Sequence, residues 1–330
     1  MKLPRPLLHK NLASFIPYIV VILVLIILPH FISSYLVFFL TKILIFAISA
    51  MGLNLILGYA GLPSLGHAAF SGVAVYVVAF LTVHYGIESF WLVAPAGVLA
   101  ALVIAALIGR FIVHLSGPYF LLITLALSQL LFSIAWKWRA ITGGDDGLPG
   151  IPQPDLGLPL PMGDSTYFYY FVFIIFVACF LLLYRLIGSP FGHAIIGIRE
   201  NESRMKLLGY NTWRYKYVSF IIGGGLGGVA GVLYAYLVRL ASPGDLGIAT
   251  SIAVLFMVIL GSPGTLIGPF IGSILLTTAE YVASSYTPDR WPLILGATFV
   301  IVAMYLRGGV GIYLTRYWKK VESWYGSPKN

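Results

Sequence analysis

The chain is a succession of long apolar runs separated by short polar connections. A helix that crosses a bilayer needs about 20 apolar residues, and fewer when it is short or broken. The runs therefore predict an all-α integral membrane protein with about ten transmembrane helices, some of them broken or short. The predicted spans are 13–29, 35–57, 66–84, 90–108, 118–136, 167–187, 217–238, 247–260, 264–285 and 291–306.

One polar segment stands out between these spans, from Arg185 to Lys216. It holds eight charged residues, whereas the whole chain has 20 basic and 11 acidic ones. Ser189 followed by Pro190 predicts a helix start, with a capping hydroxyl and a proline at the first helical position. Gly209 predicts the matching stop.

Two acid-first pairs, Glu200–Arg204 and Glu202–Lys206, would stiffen this helical unit by about 0.2–0.5 kcal/mol each. Charged and exposed apolar residues share the unit, which suits docking to a soluble partner. The alternative is an ordinary solvated loop that supplies the basic residues found on the cytoplasmic side of membrane proteins. The local sequence leaves both interpretations open.

The distribution of basic residues predicts the orientation. With ten spans, 15 Lys and Arg fall on the side of the two termini and of the polar segment, and four fall on the other side. Because basic residues accumulate in cytoplasmic loops, we predict that both termini and the polar segment are cytoplasmic. The N-terminal MKLPRPLLHK lacks a small-residue cleavage site and predicts a first anchor, not a removed signal peptide.

The longest predicted external loop runs from about 137 to 166 and is rich in Gly and Pro. Loops of this length in a compact fold are usually functional or disordered. Its acidic turn is equally compatible with simple solvation and with a docking surface. The residues singled out there are Gly143, Gly144, Asp145, Asp146 and Gly147.

Two glycine-rich junctions resemble each other at an offset of 203 residues, each with the pattern Leu-Gly-x-x-Gly. Broken helices of transporters meet near the permeation path, and irregular backbone at membrane depth survives where it lines a cavity or is buried in protein. We therefore predict a path near the cytoplasmic side, with Ser64 as a cap whose helix end favours an anionic group. A bare turn is the alternative for this junction, and a local hydrogen bond is the expected role of the histidine. The path residues are Gly58, Gly61, Ser64, Gly66, His67, Gly261 and Gly264.

Glycines also recur at every fourth position, at 223, 227 and 231 and again at 264, 268 and 272. This spacing leaves one helix face without side chains and favours close helix packing. Apart from Arg185, which is counted with the polar segment, the only charges inside the predicted spans are Lys42 and Glu280. We predict that they pair near the external side, because each is costly alone in lipid; independent snorkelling of Lys42 is the alternative.

The composition excludes several other classes of protein. Hydrophobic residues make up 59% and charged residues 9% of the 330 positions, whereas a soluble domain carries about a quarter charged residues. The net charge of +9 does not indicate nucleic acid binding, because the basic residues lie in short loops and tails. The single cysteine, Cys179, excludes an internal disulfide, and the six histidines lack metal-ligand spacing. No phosphate loop or catalytic triad is found.

Several segments resemble the LivM-type permeases of branched-chain amino acid ABC importers, in order and with matching spacing from about Leu53 to Arg307. They are NLILGYAGLPSLGHAAFSGVAVY, ITGGDDGLPGIP, SPFGHAIIGIRENESRMKLLGYNTWRYKYVSF and GSPGTLIGPFIGS. Leu62 and Pro63 depart from the family's usual Gln and aliphatic residue, and His193 from its usual basic residue. Because Leu62 and Pro63 lie in a glycine junction, they leave the substrate open.

The resemblance implies one transmembrane permease domain over residues 1–330 that binds no cofactor and catalyses no reaction. The implied partners are a LivH-type second permease, two cytoplasmic ABC ATPase subunits that bind ATP and Mg²⁺, and an external substrate-binding protein. The polar segment, about 188–213, then becomes the coupling segment that meets the ATPase. Its expected contact residues are Arg199, Glu200, Asn201, Glu202, Arg204, Met205, Lys206, Leu207, Leu208 and Gly209.

Two alternatives remain. Permeases for urea or short-chain amides share much of the same pattern. An ion-coupled secondary transporter would carry ionisable residues at mid-membrane, and the charges at positions 42 and 280 lie toward the external ends of their spans. An intramembrane enzyme would need a nucleophile–base pair or a metal site, and the sequence contains neither pattern.

Overall fold

The described part of the chain is mostly helical. The computed structural model describes residues 24–157, 162–286, 296–297 and 309. Within these residues the α-helices are α1 (Ser34–Asn54), α2 (His67–Ala79), α3 (Phe90–Ile112), α4 (Pro118–Lys137), α5 (Arg139–Thr142), α6 (Ser165–Ile187), α7 (Pro190–Glu200), α8 (Glu202–Leu207), α9 (Thr212–Val238), α10 (Ile248–Gly261) and α11 (Gly268–Tyr286).

Shorter elements continue or connect these helices. A π-helical segment, Leu55–Tyr59, extends α1, and another, Phe80–His84, extends α2. Turns of 3₁₀-helix occupy Leu28–His30, Gly144–Asp146 and Pro243–Leu246. Strand β1 (Leu148–Pro149) pairs antiparallel with β2 (Leu240–Ala241), with Leu148 opposite Ala241.

The predicted spans agree well with these helices. Within the described residues, six helices are long and apolar enough to cross a membrane, and α10 is a shorter apolar helix of 14 residues. The eight predictions from 35–57 to 264–285 each coincide with an observed helix. The predicted spans 13–29 and 291–306 lie mostly outside the described residues, so the total of ten stays a prediction.

Helix α9 lies at the centre of the bundle and packs against α1, α2 and α3. Its glycines explain how three helices approach it. A Cβ at Gly223 would lie 2.7 Å from the carbonyl oxygen of Gly52 on α1, and one at Gly231 would lie 2.1 Å from the carbonyl of Ser71 on α2. The interpretation of this glycine repeat as close helix packing is confirmed.

The second glycine repeat is only partly helical. Gly268 and Gly272 pack against the backbone of α10, where a Cβ at Gly272 would lie 1.7 Å from the carbonyl oxygen of Met257. Gly264 precedes α11 and lies in a turn with a φ of 79°. The prediction of a single helix face was therefore wrong for Gly264, because the chain still has to reverse direction there.

The predicted pair inside the membrane spans is present. The ammonium of Lys42 on α1 lies 3.9 Å from a carboxylate oxygen of Glu280 on α11, and the two side chains are 27% and 35% exposed. Each charge therefore has an opposite charge beside it, as a costly group in a span requires. The same pair connects α1 to α11.

Candidate functional site

The two glycine-rich junctions meet in the fold. Gly58 lies so close to Gly264 that a Cβ added to Gly58 would be 2.3 Å from the Gly264 nitrogen. The weak internal repeat of the sequence therefore corresponds to a physical contact between the end of α1 and the turn that follows α10.

Asn54, which the sequence analysis did not single out, joins these junctions. Its side-chain nitrogen donates to the carbonyl of Thr265 at 2.8 Å, and its side-chain oxygen accepts from the N–H of Gly264 at 2.8 Å. Asn54 is buried, so loss of both bonds would leave two backbone groups unpaired at about 1–3 kcal/mol each. The bridging role of Asn54 could not be predicted from the sequence, because a single asparagine four residues before Gly58 belongs to no recognisable motif.

Arg199 connects the predicted coupling segment to the two glycine junctions. Its guanidinium donates to the carbonyl oxygen of Gly58. Its side-chain stem packs on Gly61, where an added Cβ would lie 2.7 Å from the Cγ of Arg199. Its guanidinium packs on Gly264, where an added Cβ would lie 2.8 Å from a guanidinium nitrogen. Gly61 and Gly264 both have φ near +75 to +79°, so a larger residue would be strained as well as crowded. These contacts explain why glycine occupies both positions.

The predicted coupling segment consists of two helices and not one. Ser189 caps α7, whose first residue is Pro190, and accepts from the N–H of Gly192, so the predicted start is confirmed. Gly209 follows the end of α8 with a φ of 85°, as predicted for a stop. Asn201 breaks the unit, because its side chain caps α8 by accepting from the N–H of Arg204.

The two predicted ion pairs have different outcomes. The break at Asn201 places Glu200 and Arg204 on separate helices, and the structure, which describes both residues, shows no ion pair between them. Their predicted pairing was wrong because a capping asparagine competes with a continuous helix. The pair from Glu202 to Lys206 is confirmed at 3.0 Å.

Glu202 also has partners that the sequence analysis missed. It forms an ion pair with the buried Lys216 and accepts from the hydroxyl of Thr212 at 3.1 Å. Partial burial alone would raise the pKa of Glu202, but hydrogen bonds from Lys216 and Lys206 hold it at about 2. Lys216 and Thr212 belong to α9, so Glu202 ties α8 to the central helix.

The apolar residues of the coupling segment divide into exposed and packed ones. Leu207 is 90% exposed and Leu208 is 66% exposed, in agreement with a docking surface. Met205 instead packs against Gly197 on α7, with its sulfur 3.0 Å from the position of a Gly197 Cβ. Met205 thus joins α7 to α8 and is less available to a partner than the two leucines; its predicted contact with the ATPase stays a prediction.

The start of α2 has its backbone donors satisfied from within the protein. Ser64 accepts from the N–H of Gly66, Thr124 from that of Leu65, and Ser251 from that of Ala68. Gly66, not Ser64, occupies the capping position. The expectation that this helix end attracts an anion is weakened, because three hydroxyls already accept from its donors.

His67 at the start of α2 is fully buried. Its ring is hydrogen-bonded to the backbone of Ser49 on α1. The prediction that His67 satisfies a hydrogen bond inside the protein is therefore supported, and its partner lies on the preceding helix.

The acidic turn of the predicted external loop is ordered by its glycines and by Thr142. The Thr142 hydroxyl shares its one hydrogen between the carbonyls of Ala135 and Trp138 and accepts from the N–H of Gly144. Gly143, Gly144 and Gly147 have positive φ, and Asp145 and Asp146 are exposed at the tip. Among the described residues no cluster of His, Cys, Asp and Glu could hold a metal ion.

The comparisons with known proteins agree on one class of relatives. The family described as "Branched-chain amino acid transport system / permease component" matches residues 35–303. The chain is 28% identical to the high-affinity branched-chain amino acid transport system permease protein LivM of Escherichia coli K12, over 86% of this chain and 71% of that protein. It is 25% identical to a probable LivM of Methanocaldococcus jannaschii, over 83% and 89%, and 24% identical to LivH of E. coli K12, over 78% and 88%. No solved structure gives a significant match.

Proposed function

Because the chain belongs to the branched-chain amino acid transport permease family, we propose that it is the permease subunit of an ATP-driven importer for branched-chain or other apolar amino acids. Its relatives are membrane-embedded transport components and not catalytic enzymes. The whole chain would form one transmembrane domain and half of the translocation path. A LivH-type permease would supply the other half.

The proposed path passes the meeting point of the two glycine junctions, at Gly58 to His67 and Gly261 to Gly264. Support comes from the irregular backbone between the π-helical end of α1 and the start of α2, in which Ala60, Leu62, Ser64 and Gly66 are buried. Irregular backbone of this kind persists inside a membrane only where protein or a cavity satisfies it. The junction residues themselves carry no formal charge, and Arg199 is the one charged side chain that the described contacts place on Gly58 and Gly264. So few charges suit a zwitterion that is passed on and not retained.

The observation that carries the coupling proposal is the contact of Arg199 with Gly58. Leu207 and Leu208 offer an exposed apolar surface on α8, and Arg199 on the adjoining α7 contacts the junction. A partner that binds α8 would therefore move the junction through a short chain of contacts. A ligand can shift a conformational equilibrium only through contacts that differ between the two states, and the ATPase would provide them here.

The remaining partners follow from the same proposal. ATP and Mg²⁺ would bind on two ABC ATPase subunits, and this chain would hold no cofactor. Both termini and the α7–α8 pair would be cytoplasmic, as the distribution of basic residues favours. The ordered turn with Asp145 and Asp146 would face outward, where an external substrate-binding protein docks.

Two other functions, urea or amide transport and ion-coupled transport, would give different experimental results. A urea or amide permease would transport small neutral solutes. This function remains a candidate because Leu62 and Pro63 in the junction differ from the residues usual in the family. An ion-coupled transporter would need a free ionisable group at mid-membrane. Lys42 and Glu280 pair with each other, which does not favour that mechanism.

The test is uptake by the complete complex in proteoliposomes. Labelled L-leucine should accumulate only with ATP on the ATPase side, and unlabelled isoleucine and valine should compete while urea and acetamide do not. A protonophore should leave uptake unchanged. Transport of urea without leucine would replace the proposed substrate class, and uptake that needs an ion gradient but no ATP would contradict the ATP-driven mechanism.

A further inference from the structure

The segment between α9 and α10 returns into the helix bundle. The predicted spans 217–238 and 247–260 would leave residues 239–246 as a short connection at the surface. In the structure, the hydroxyl of Ser128 on α4 donates to the carbonyl of Leu246 at 2.9 Å. The side chain of Leu246 also packs on Gly72 of α2, where an added Cβ would lie 2.5 Å from Leu246 Cδ2. Residues 242–247 therefore form a re-entrant turn.

The depth of this turn follows from the helices around it. Ser128 is the eleventh of the 20 residues of α4, which places Leu246 about 15 Å from either end of that helix. Gly231 of α9 packs on the neighbouring Ser71 and precedes Val238, the last residue of α9, by seven positions. The chain has therefore come back by about 10 Å from the end of α9. Because α4 and α9 are long enough to span a membrane, the turn lies near mid-membrane depth.

The tip of the turn is polar and exposed. Gly244 and Ala249 are exposed, Ile248 is 38% exposed, and Asp245 is half-buried. Within the described residues, the carboxylate of Asp245 accepts one hydrogen bond, from the N–H of Ser242 at 2.9 Å, and forms no ion pair. Irregular backbone and an unpaired carboxylate at this depth do not occur on a lipid-facing surface. The tip therefore faces water or another protein.

A second polar group with unused hydrogen-bonding capacity lies near this carboxylate. Tyr76 follows Gly72 on α2 by one helical turn, and its hydroxyl is buried without a hydrogen-bond partner among the described residues. Asp245 interacts electrostatically with Tyr76 but forms no hydrogen bond with it. A donor group that reaches both oxygens would satisfy them together.

From this arrangement we infer that Asp245 binds the ammonium group of the transported amino acid near the midpoint of the path, with the hydroxyl of Tyr76 as a second acceptor. The inference rests on the proposed function. An ammonium has three hydrogen-bond donors and a positive charge, which suit a carboxylate and a phenol oxygen. The alternative role of Asp245 is structural, because it forms a capping box with Ser242. An asparagine keeps the capping acceptor and loses the charge, so the two roles can be separated.

Helix α10 connects this site to the proposed coupling route. At its start, Ser251 accepts from the N–H of Ala68 at the beginning of α2. At its other end, α10 reaches Gly261 in the second glycine junction, on which Arg199 packs. A movement of the coupling segment therefore reaches Asp245 through one short helix.

The first test compares two capping aspartates in the complete complex. Asp245→Asn should lower ATP-driven L-leucine uptake by about tenfold or more, with the ATPase subunits still bound and no fall in Tm. Asp164→Asn is the matched control, because Asp164 also accepts from one backbone N–H, that of Thr166 at 2.9 Å, at the start of α6. Tyr76→Phe should lower uptake less than Asp245→Asn, since it removes no charge. Normal uptake by Asp245→Asn would overturn the inference, as would a fall in Tm that accounts for the lost uptake.

A small inorganic cation carries the same charge as the ammonium group, and the same proteoliposomes distinguish the two. Ionophores that collapse the proton and sodium gradients should leave wild-type uptake unchanged if Asp245 binds the amino acid. Loss of ATP-driven uptake on their addition would assign Asp245 to a coupling ion and overturn the inference.

The second test does not depend on which solute is carried. In a Cys179→Ser background, Ala249→Cys at the tip of the turn should react with a charged, water-soluble thiol reagent during ATP turnover. Leu99→Cys, exposed in the middle of α3, should remain unreactive because it faces lipid. Absence of Ala249→Cys labelling would show that another protein covers the tip and would overturn the inference. Labelling of Ala249→Cys in a complex that transports no leucine would place the tip on the path and overturn the proposed substrate.

Discussion

The guanidinium of Arg199 donates a hydrogen bond to the carbonyl oxygen of Gly58, which lies 141 residues earlier in the sequence. Arg199 belongs to α7 of the exposed helix pair, and Gly58 belongs to the π-helical end of α1. The same arginine covers Gly61 and Gly264. One side chain therefore joins the segment that we propose for coupling to the junction that we propose for translocation.

The exposed leucines of α8 should carry the binding of the ATPase. Burial of a large apolar side chain contributes roughly 1.5–3 kcal/mol, so Leu207→Asp with Leu208→Asp should abolish co-purification of the ATPase subunits. Arg204→Ala should have a smaller effect, because Arg204 is exposed on the same helix. Pull-down from membranes measures both variants. An ATPase that stays bound to the double variant would place the contact elsewhere, with the basic C-terminal tail as the next candidate.

Asn54 should be essential for the contact between the two junctions. Asn54→Leu removes both hydrogen bonds to residues 264 and 265 and should destabilise the protein by about 2–4 kcal/mol, since two buried backbone groups lose their partners. Thermal unfolding of the purified protein measures the loss. Gln129→Leu is the control, because that amide makes no hydrogen bond with the described residues. Equal Tm values for Asn54→Leu and wild type would contradict the bridging role.

Asp245 should make stability depend on pH. Burial raises the pKa of this carboxyl to about 6, although a hydrogen bond from the Ser242 N–H acts in the opposite direction. Because the folded-state pKa lies above the unfolded value of about 3.9, the folded protein binds more protons and its stability falls as pH rises from about 4 to 6.

Asp245→Asn should therefore raise Tm by a few degrees at pH 7.5, and the gain should shrink toward zero as the pH falls to about 4. The amide can still accept the hydrogen bond from Ser242. Calorimetry across this pH range is the measurement, with Asp146→Asn as an exposed control. A gain that stays constant with pH would contradict the titration of Asp245.

The pairing of Lys42 with Glu280 predicts rescue by charge reversal. Lys42→Glu or Glu280→Lys alone places two like charges 3.9 Å apart inside the predicted spans and should lower both Tm and membrane yield. The double exchange should recover much of the loss, because opposite charges meet again. A double-mutant cycle measures the interaction. Purely additive losses would show that each charge interacts independently with its surroundings.

The helices were predictable because each apolar run is long and each boundary carries a local signal. Ser189 and Pro190 start α7 in the structure as they do in the sequence pattern. The pairing of Lys42 with Glu280 was also predictable, because two isolated charges in apolar spans have few alternatives.

The contacts that organise the site were not predictable in this way. Asn54 and Arg199 act on backbone groups more than 140 residues away, and no periodicity reports such contacts. The break at Asn201 was missed because a capping asparagine inside a charged helical pattern resembles an ordinary exposed position. The packing of Met205 on Gly197 was missed because its helix position did not reveal the glycine beneath it.

The most direct test of the proposed coupling compares Arg199→Met with Arg204→Met in reconstituted complexes. Methionine keeps an apolar stem but cannot donate to Gly58. Arg204, by contrast, forms no ion pair among the described residues. ATP hydrolysis and L-leucine uptake are measured in the same proteoliposomes. We predict that Arg199→Met keeps the ATPase bound and active but lowers leucine transported per ATP hydrolysed by about tenfold or more, while Arg204→Met stays within about twofold of wild type. An unchanged ratio of transport to hydrolysis in Arg199→Met would contradict the account.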